Sequence, residues 1–173
     1  MRSFINYLPV LGLTLLLTSC SGIFTGDDDD SGVNPGDLAA SITDYIKDNY
    51  SGYNIEDIEI EDICDVLYYE VELEDGPGPD IELYFNMAEE FVFAATEVSK
   101  DVLPQAVLDV IAQQYANYSI DDDKIEQFEL VDGSLQFEVE LETDSGSDLE
   151  IVFNADGSVF CQDDSDDDKG DDD

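Results

Sequence analysis

Three cysteines and forty-five carboxylates are the side chains of this 173-residue sequence with chemistry to offer. The sequence contains no His, which removes the usual base of a Ser–His or Cys–His nucleophile. A structural zinc site is disfavoured for the same reason, because Cys64 and Cys161 would lack an imidazole partner. Paired carboxylates could in principle serve as glycosidase acid and nucleophile, but they would need a cleft that raises one pKa. The glutamates here alternate along strands that should expose them, so the expectation is no enzyme, no catalytic residue, no cofactor and no defined metal site. Oxygen-rich runs leave weak calcium binding as the better chemical expectation, with Asp121-Asp122-Asp123 and the tail from Asp163 as candidates. Neither has EF-hand spacing, and the alternative is a merely solvated acidic surface. Cys64 and Cys161 form an even pair, to be read either as a disulfide or as two buried thiols. A bridge closing so long a loop would stabilise by about 4 kcal/mol.

Charge narrows the partners. Five Lys and Arg against forty-five acids leave a formal charge of −40. Nucleic acid is excluded as a ligand, since phosphate neutralisation needs clustered basic residues. Docking of the protein surface on anionic lipid is opposed on the same ground. Charge would steer basic proteins, peptides or divalent cations toward the chain. Solubility in a salty habitat is the plain alternative.

The elements that position these residues come from a duplication. Tyr69-Glu70-Val71-Glu72-Leu73-Glu74 recurs as Phe137-Glu138-Val139-Glu140-Leu141-Glu142, and Asp80 to Asn86 recurs as Asp148 to Asn154, both at an offset of 68. Leu38, Ile42, Tyr45, Ile46 and Tyr50 make a helical stripe that returns at an offset of 65 as Leu103, Val107, Val110, Ile111 and Tyr115. The change from 65 to 68 is read as a three-residue insertion in copy one. Asp37 is a reasonable cap for the first helix, Gly52 can end it, and Pro104 suits the first turn of the second. Four strands follow each helix, and Asp156-Gly157 marks the last hairpin turn. The expected fold is α+β: two tandem helix-plus-four-stranded antiparallel meander repeats, residues 37–99 and 100–162. One face of each sheet is covered by its helix, and Glu70, Glu72, Glu138 and Glu140 face water. Pairing through edge strands into one longer sheet would relieve the marginal burial of a repeat of about 60 residues.

The ends of the chain speak of its address. Arg2, the apolar run Leu8 to Leu17 and Leu17-Thr18-Ser19-Cys20 resemble a lipoprotein signal peptide over residues 1–19, with its lipobox cysteine as lipidation site. That resemblance implies a membrane anchor through lipid on Cys20, stable if more than one acyl chain is attached; the alternative is an ordinary secretory signal whose cut merely falls near Cys20. Residues 20–36 form an acidic tether, and residues 163–173 a disordered acidic tail. Acids shortly after a lipidated cysteine resemble the surface-export signal of Bacteroidetes lipoproteins, although here they begin only at Asp27. An outer-membrane lipoprotein of the bacterial envelope is expected, periplasmic or surface-exposed.

Leu103-Pro104, the Tyr115 helix end, the Phe137 to Glu142 strand, Leu149 to Asn154 and Asp156-Gly157 resemble the PepSY-like family, also called beta-lactamase-inhibitor-like. The resemblance spans both copies, roughly residues 38 to 161, although copy one lacks the Leu-Pro and Asp-Gly features. It implies a fold like that of beta-lactamase inhibitor protein and a binding, peptidase-inhibitor-like role toward a protein or peptide. Tyr68, Tyr84 and Phe91 to Phe93 are candidate contacts if exposed, with core or sheet-edge roles as the alternative. The competing expectation is an acidic structural or calcium-linked surface lipoprotein without inhibitory activity.

Overall fold

Apolar and acidic residues in strict alternation can bury one face only as strands. The computed structural model describes residues 38–143, 145, 146 and 148–164, the side chains of 163 and 164 excepted. Its elements are α1 (Ala40–Asn49), β1 (Asn54–Ile63), β2 (Val66–Glu74), β3 (Ile81–Asn86) and β4 (Phe91–Glu97). They are followed by α2 (Gln105–Gln114), β5 (Ser119–Leu130), β6 (Leu135–Glu142), β7 (Asp148–Asn154) and β8 (Val159–Asp164). The eight strands form one antiparallel sheet in chain order. The two meanders meet at β4 and β5, where Phe93 pairs with Leu130 and Ala95 with Phe128.

Each helix buries its stripe on its own meander. Ile42 and Ile46 of α1 pack with Ile58, Val71, Leu73, Leu83 and Phe85. Val107 and Ile111 of α2, with Leu103 ahead of it, pack with Ile125, Phe137, Val139, Leu141, Ile151 and Phe153. The caps differ from expectation. Ala39 and Pro104 hold the N-cap positions without a side-chain hydrogen bond, and Asp37 lies outside the described residues. Gly52 lies beyond the Tyr50 C-cap at φ 106°, a left-handed geometry that glycine adopts freely. The extra length proves to lie in copy two, because an offset that grows along the chain lengthens the later copy. It is taken up by a wider bulge between Ile120 and Ile125 and by a longer β5–β6 hairpin, against the Ile55/Ile58 bulge of copy one.

The sheet is strongly curled. Laid flat, its first and last strands would stand roughly 33 Å apart. Instead, the Cα atoms of Cys64, in the β1–β2 turn, and Cys161, in β8, are 5.7 Å apart, and their sulfurs are bonded. The face turned away from the helices is therefore the inside of the curl.

Candidate functional site

Period-two alternation sends every second side chain of each strand to the inside of the curl. At the disulfide end that surface is apolar. Tyr84, Phe93 and Phe128 stack there, with ring centroids 4.4 Å apart for the first pair and 4.6 Å for the second. Ala95 and Val152 are buried in the same cluster, with Ile63, Tyr68 and Leu130 packed on it. A cavity of about 330 Å³ opens beside it, bordered by Val66 and Phe160, which are 46 % and 59 % exposed. Of the expected contact residues, Tyr84 and Phe93 are core, whereas Tyr68, Phe91 and Val92 are half-buried.

The other end of the concavity is lined with glutamates, and here the structure corrects the sequence reading. Glu70, Glu72, Glu138 and Glu140 do not stand free in water; all four are half-buried, because curling turns their face inward. Glu59 and Glu70 pair across β1 and β2, and with Glu61 they place three carboxylates within 4.8 Å of one another. Glu126, Glu138, Glu140, Glu150 and Lys124 line a second cavity of about 240 Å³. Burial first, then the fields of Glu82, Glu59 and Glu61, push the Glu70 carboxyl up to about 8. Burial and Glu82 likewise bring Glu126 to about 8, against an opposing pull from Lys124. Glu138 rises to about 10 through burial and a hydrogen bond with Glu150. The Glu82 carboxyl is raised by burial too, while the Tyr84 hydroxyl, donating to it at 2.9 Å, works the other way. Burial and mutual repulsion thus favour the protonated forms of Glu70, Glu126 and Glu138, and the cluster lacks a nucleophile–imidazole pair, since the chain has no His.

Other sequence candidates are scattered. Asp121 caps the backbone N–H of Asp123 at 3.1 Å, and Asp122 faces Lys100 at 3.7 Å, so the triple-Asp run in the β5 bulge does not converge on one point. Cys20, the tether, and the tail beyond Asp164 lie outside the described residues. The carboxylate cluster that the structure brings together was invisible as a site in the sequence. Its members are spread over β1, β2, β3, β5, β6 and β7, and only the curl makes them neighbours.

Comparison with known proteins agrees with this architecture. Among curated proteins, none matches the chain. A BLIP-like protein from Bacteroides fragilis superposes with TM-score 0.51 at 23% identity, over 73% of this chain and 86% of that one. A DUF2874 family protein from Bacteroides uniformis gives TM-score 0.55 at 17% identity, over 73% and 89%. A structure described as "putative periplasmic proteins" from Bacteroides eggerthii gives TM-score 0.53 at 18% identity, over 73% and 88%. These likenesses establish the fold. The family model described as "Putative beta-lactamase-inhibitor-like, PepSY-like" matches twice in tandem, over residues 28–94 and 89–160, and on that ground the chain belongs to this family.

Proposed function

We propose that this protein is a lipid-anchored binding module of the bacterial envelope, inhibitor-like in kind, which grips a basic segment of a protein or peptide partner without transforming it. The concave face carries this reading: an apolar, aromatic floor with an open rim beside a dense bank of half-buried carboxylates. Such a surface complements an aliphatic or aromatic anchor flanked by Lys or Arg, with the anchor supplying affinity and the charges supplying register. The inhibitor-like fold of the family and a neighbour described as periplasmic support the assignment. Cys20 would carry the lipid, in line with the signal-like residues before it.

The test has two arms. Cells fed a labelled fatty acid should label the wild-type chain, and Cys20→Ser should abolish that label. In the second arm, envelope extract is passed over the protein at high salt. Saturable capture of one partner, lost in Val66→Ser/Tyr68→Ala, supports the reading; capture that vanishes with salt and ignores the variant overturns it.

A second reading rests on Glu59, Glu61 and Glu70, whose carboxylates are close enough to share a divalent cation. On that reading the protein is an acidic surface lipoprotein whose fold calcium tightens. Melting curves that coincide in calcium chloride and in sodium chloride of equal ionic strength would dismiss it.

A further inference from the structure

The two repeats are internal controls for one another, and they differ at one place in a concerted way. In copy two the β7–β8 turn lies hard against the start of α2. A Cβ built on Gly157 would come 2.6 Å from the Ala106 carbonyl oxygen, and Gly157 has φ 86°. The duplication puts Glu89 where Gly157 stands and Ser41 where Ala106 stands. Glu89 keeps the left-handed backbone, at φ 67°, although it has a Cβ, and its carboxylate accepts a hydrogen bond from the Ser41 hydroxyl. A side chain is thus wedged between helix and turn in copy one, where copy two has direct backbone contact. Non-glycine residues held in that region store strain, and such strain collects at functional sites.

Around the wedge, other positions change with it. Val110 becomes Tyr45, Val159 becomes Phe91, and Ser158 becomes Glu90. Gln162, which accepts a hydrogen bond from the Tyr115 hydroxyl at 3.0 Å and so ties that ring down, becomes Ala94 beside Tyr50. The result is a groove of about 570 Å³ at the side of α1, walled on its far side by Glu129 and Val131 of the second repeat. Tyr45 and Phe91 stack at 4.8 Å with planes 19° apart, and Tyr45 and Tyr50 are 6.3 Å apart at 42°. The charged residues lining it, Glu89, Glu90 and Glu129, are all acidic. Aromatic faces beside carboxylates attract a cation whose charge sits on an apolar stem, because the ring quadrupole and the acids act together while the stem replaces water on the rings. The volume suits a small molecule.

From this geometry we infer that the groove of the first repeat, between Tyr45, Tyr50, Phe91 and Glu89, binds a small organic cation with an alkylammonium or guanidinium head. The site is distinct from the concave face, since it lies on the helix-bearing side of the sheet and shares with the concave cavity only Leu130 at the end of β5. Copy two has Val110, Val159 and Gly157 at the corresponding positions and so lacks the aromatic pair and the glutamate that define the site.

Choline and agmatine serve as probes for the two head groups, with 3,3-dimethylbutan-1-ol as the uncharged isostere of choline. Titrations of the full chain are followed through the tyrosine ring resonances at constant ionic strength. At least one cation should give saturable shifts at Tyr45 and Tyr50, and for choline the isostere should bind about tenfold more weakly. Tyr45→Val/Phe91→Val, which installs the residues copy two already folds with, should weaken binding by about tenfold or more. Glu90→Ser/Glu129→Gln, altered only at exposed positions, should weaken it without disturbing the fold. The inference is overturned if neither cation saturates, if choline saturates and its isostere binds as tightly, or if Glu90→Ser/Glu129→Gln binds the saturating cation as the wild type does. Failure here leaves partner capture by the concave face untouched, and the reverse also holds.

Discussion

Glu89 and Glu138 show how single residues hold free energy in this fold. Glu89 occupies a left-handed position that its duplicate fills with glycine. Glu89→Gly should therefore raise stability by about 0.5–1 kcal/mol, the release of backbone strain exceeding the loss of unfolded-state order. Urea midpoints measure this, and a lower midpoint would mean that the Ser41 hydrogen bond outweighs the strain. Glu138 works through protons. Its carboxyl is raised to about 10 and those of Glu70 and Glu126 to about 8, so between about pH 4.5 and those values the folded chain holds protons that the unfolded chain has released. Stability must then fall as pH rises through that window, and it is fully retained only below it. Thermal midpoints should drop from pH 5 to pH 9. Glu138→Gln should flatten the drop by removing the most strongly shifted group; an unchanged slope would contradict the crowding seen among these carboxylates.

At the scale of elements, the two ends of the sheet are joined by one covalent bond. Cys64 and Cys161 lie 97 residues apart in sequence, and their bridge ties the β1–β2 turn to β8. Reduction, or Cys64→Ser/Cys161→Ser, should cost about 2–4 kcal/mol. The effect should be larger at alkaline pH, where the carboxylates inside the curl are ionised and repel one another. Chemical denaturation at pH 6 and pH 9 with and without reductant tests this; an equal cost at both values would mean that the bridge does not oppose that repulsion. Each helix contributes little of its own, being ten residues long and uncapped by a side chain. Both are held by their buried stripes, and Ile111→Ala should destabilise by about 2–4 kcal/mol through the cavity it leaves.

The whole molecule is governed by two opposing features, a continuous sheet and a charge of −40. Since Phe128 of one repeat stacks on Phe93 of the other across the β4–β5 seam, the repeats share a core and should not melt separately. One calorimetric transition is expected; two well-separated transitions would show that the seam is weak. Long-range repulsion among the acids should make the midpoint climb with sodium chloride until the Debye length falls below the spacing of the charges.

Much of the architecture was legible in the order of residues. The matched runs at Tyr69 and Phe137, the helical stripes at Leu38 and Leu103, and the turn at Asp156-Gly157 are local periodicities. They dictate helix, strand and turn before any long-range contact forms. The family assignment rests on the same local pattern. What the pattern could not express was curvature. Alternation tells which side chains share a face, but not whether that face opens to water or folds onto itself, so Glu70 and Glu138, which alternation alone assigns to solvent, are in fact crowded against other acids. The groove at Glu89 was written in the sequence only as a difference between copies. Its meaning depended on how closely α2 approaches Gly157, a distance set by tertiary packing and by no periodicity along the chain.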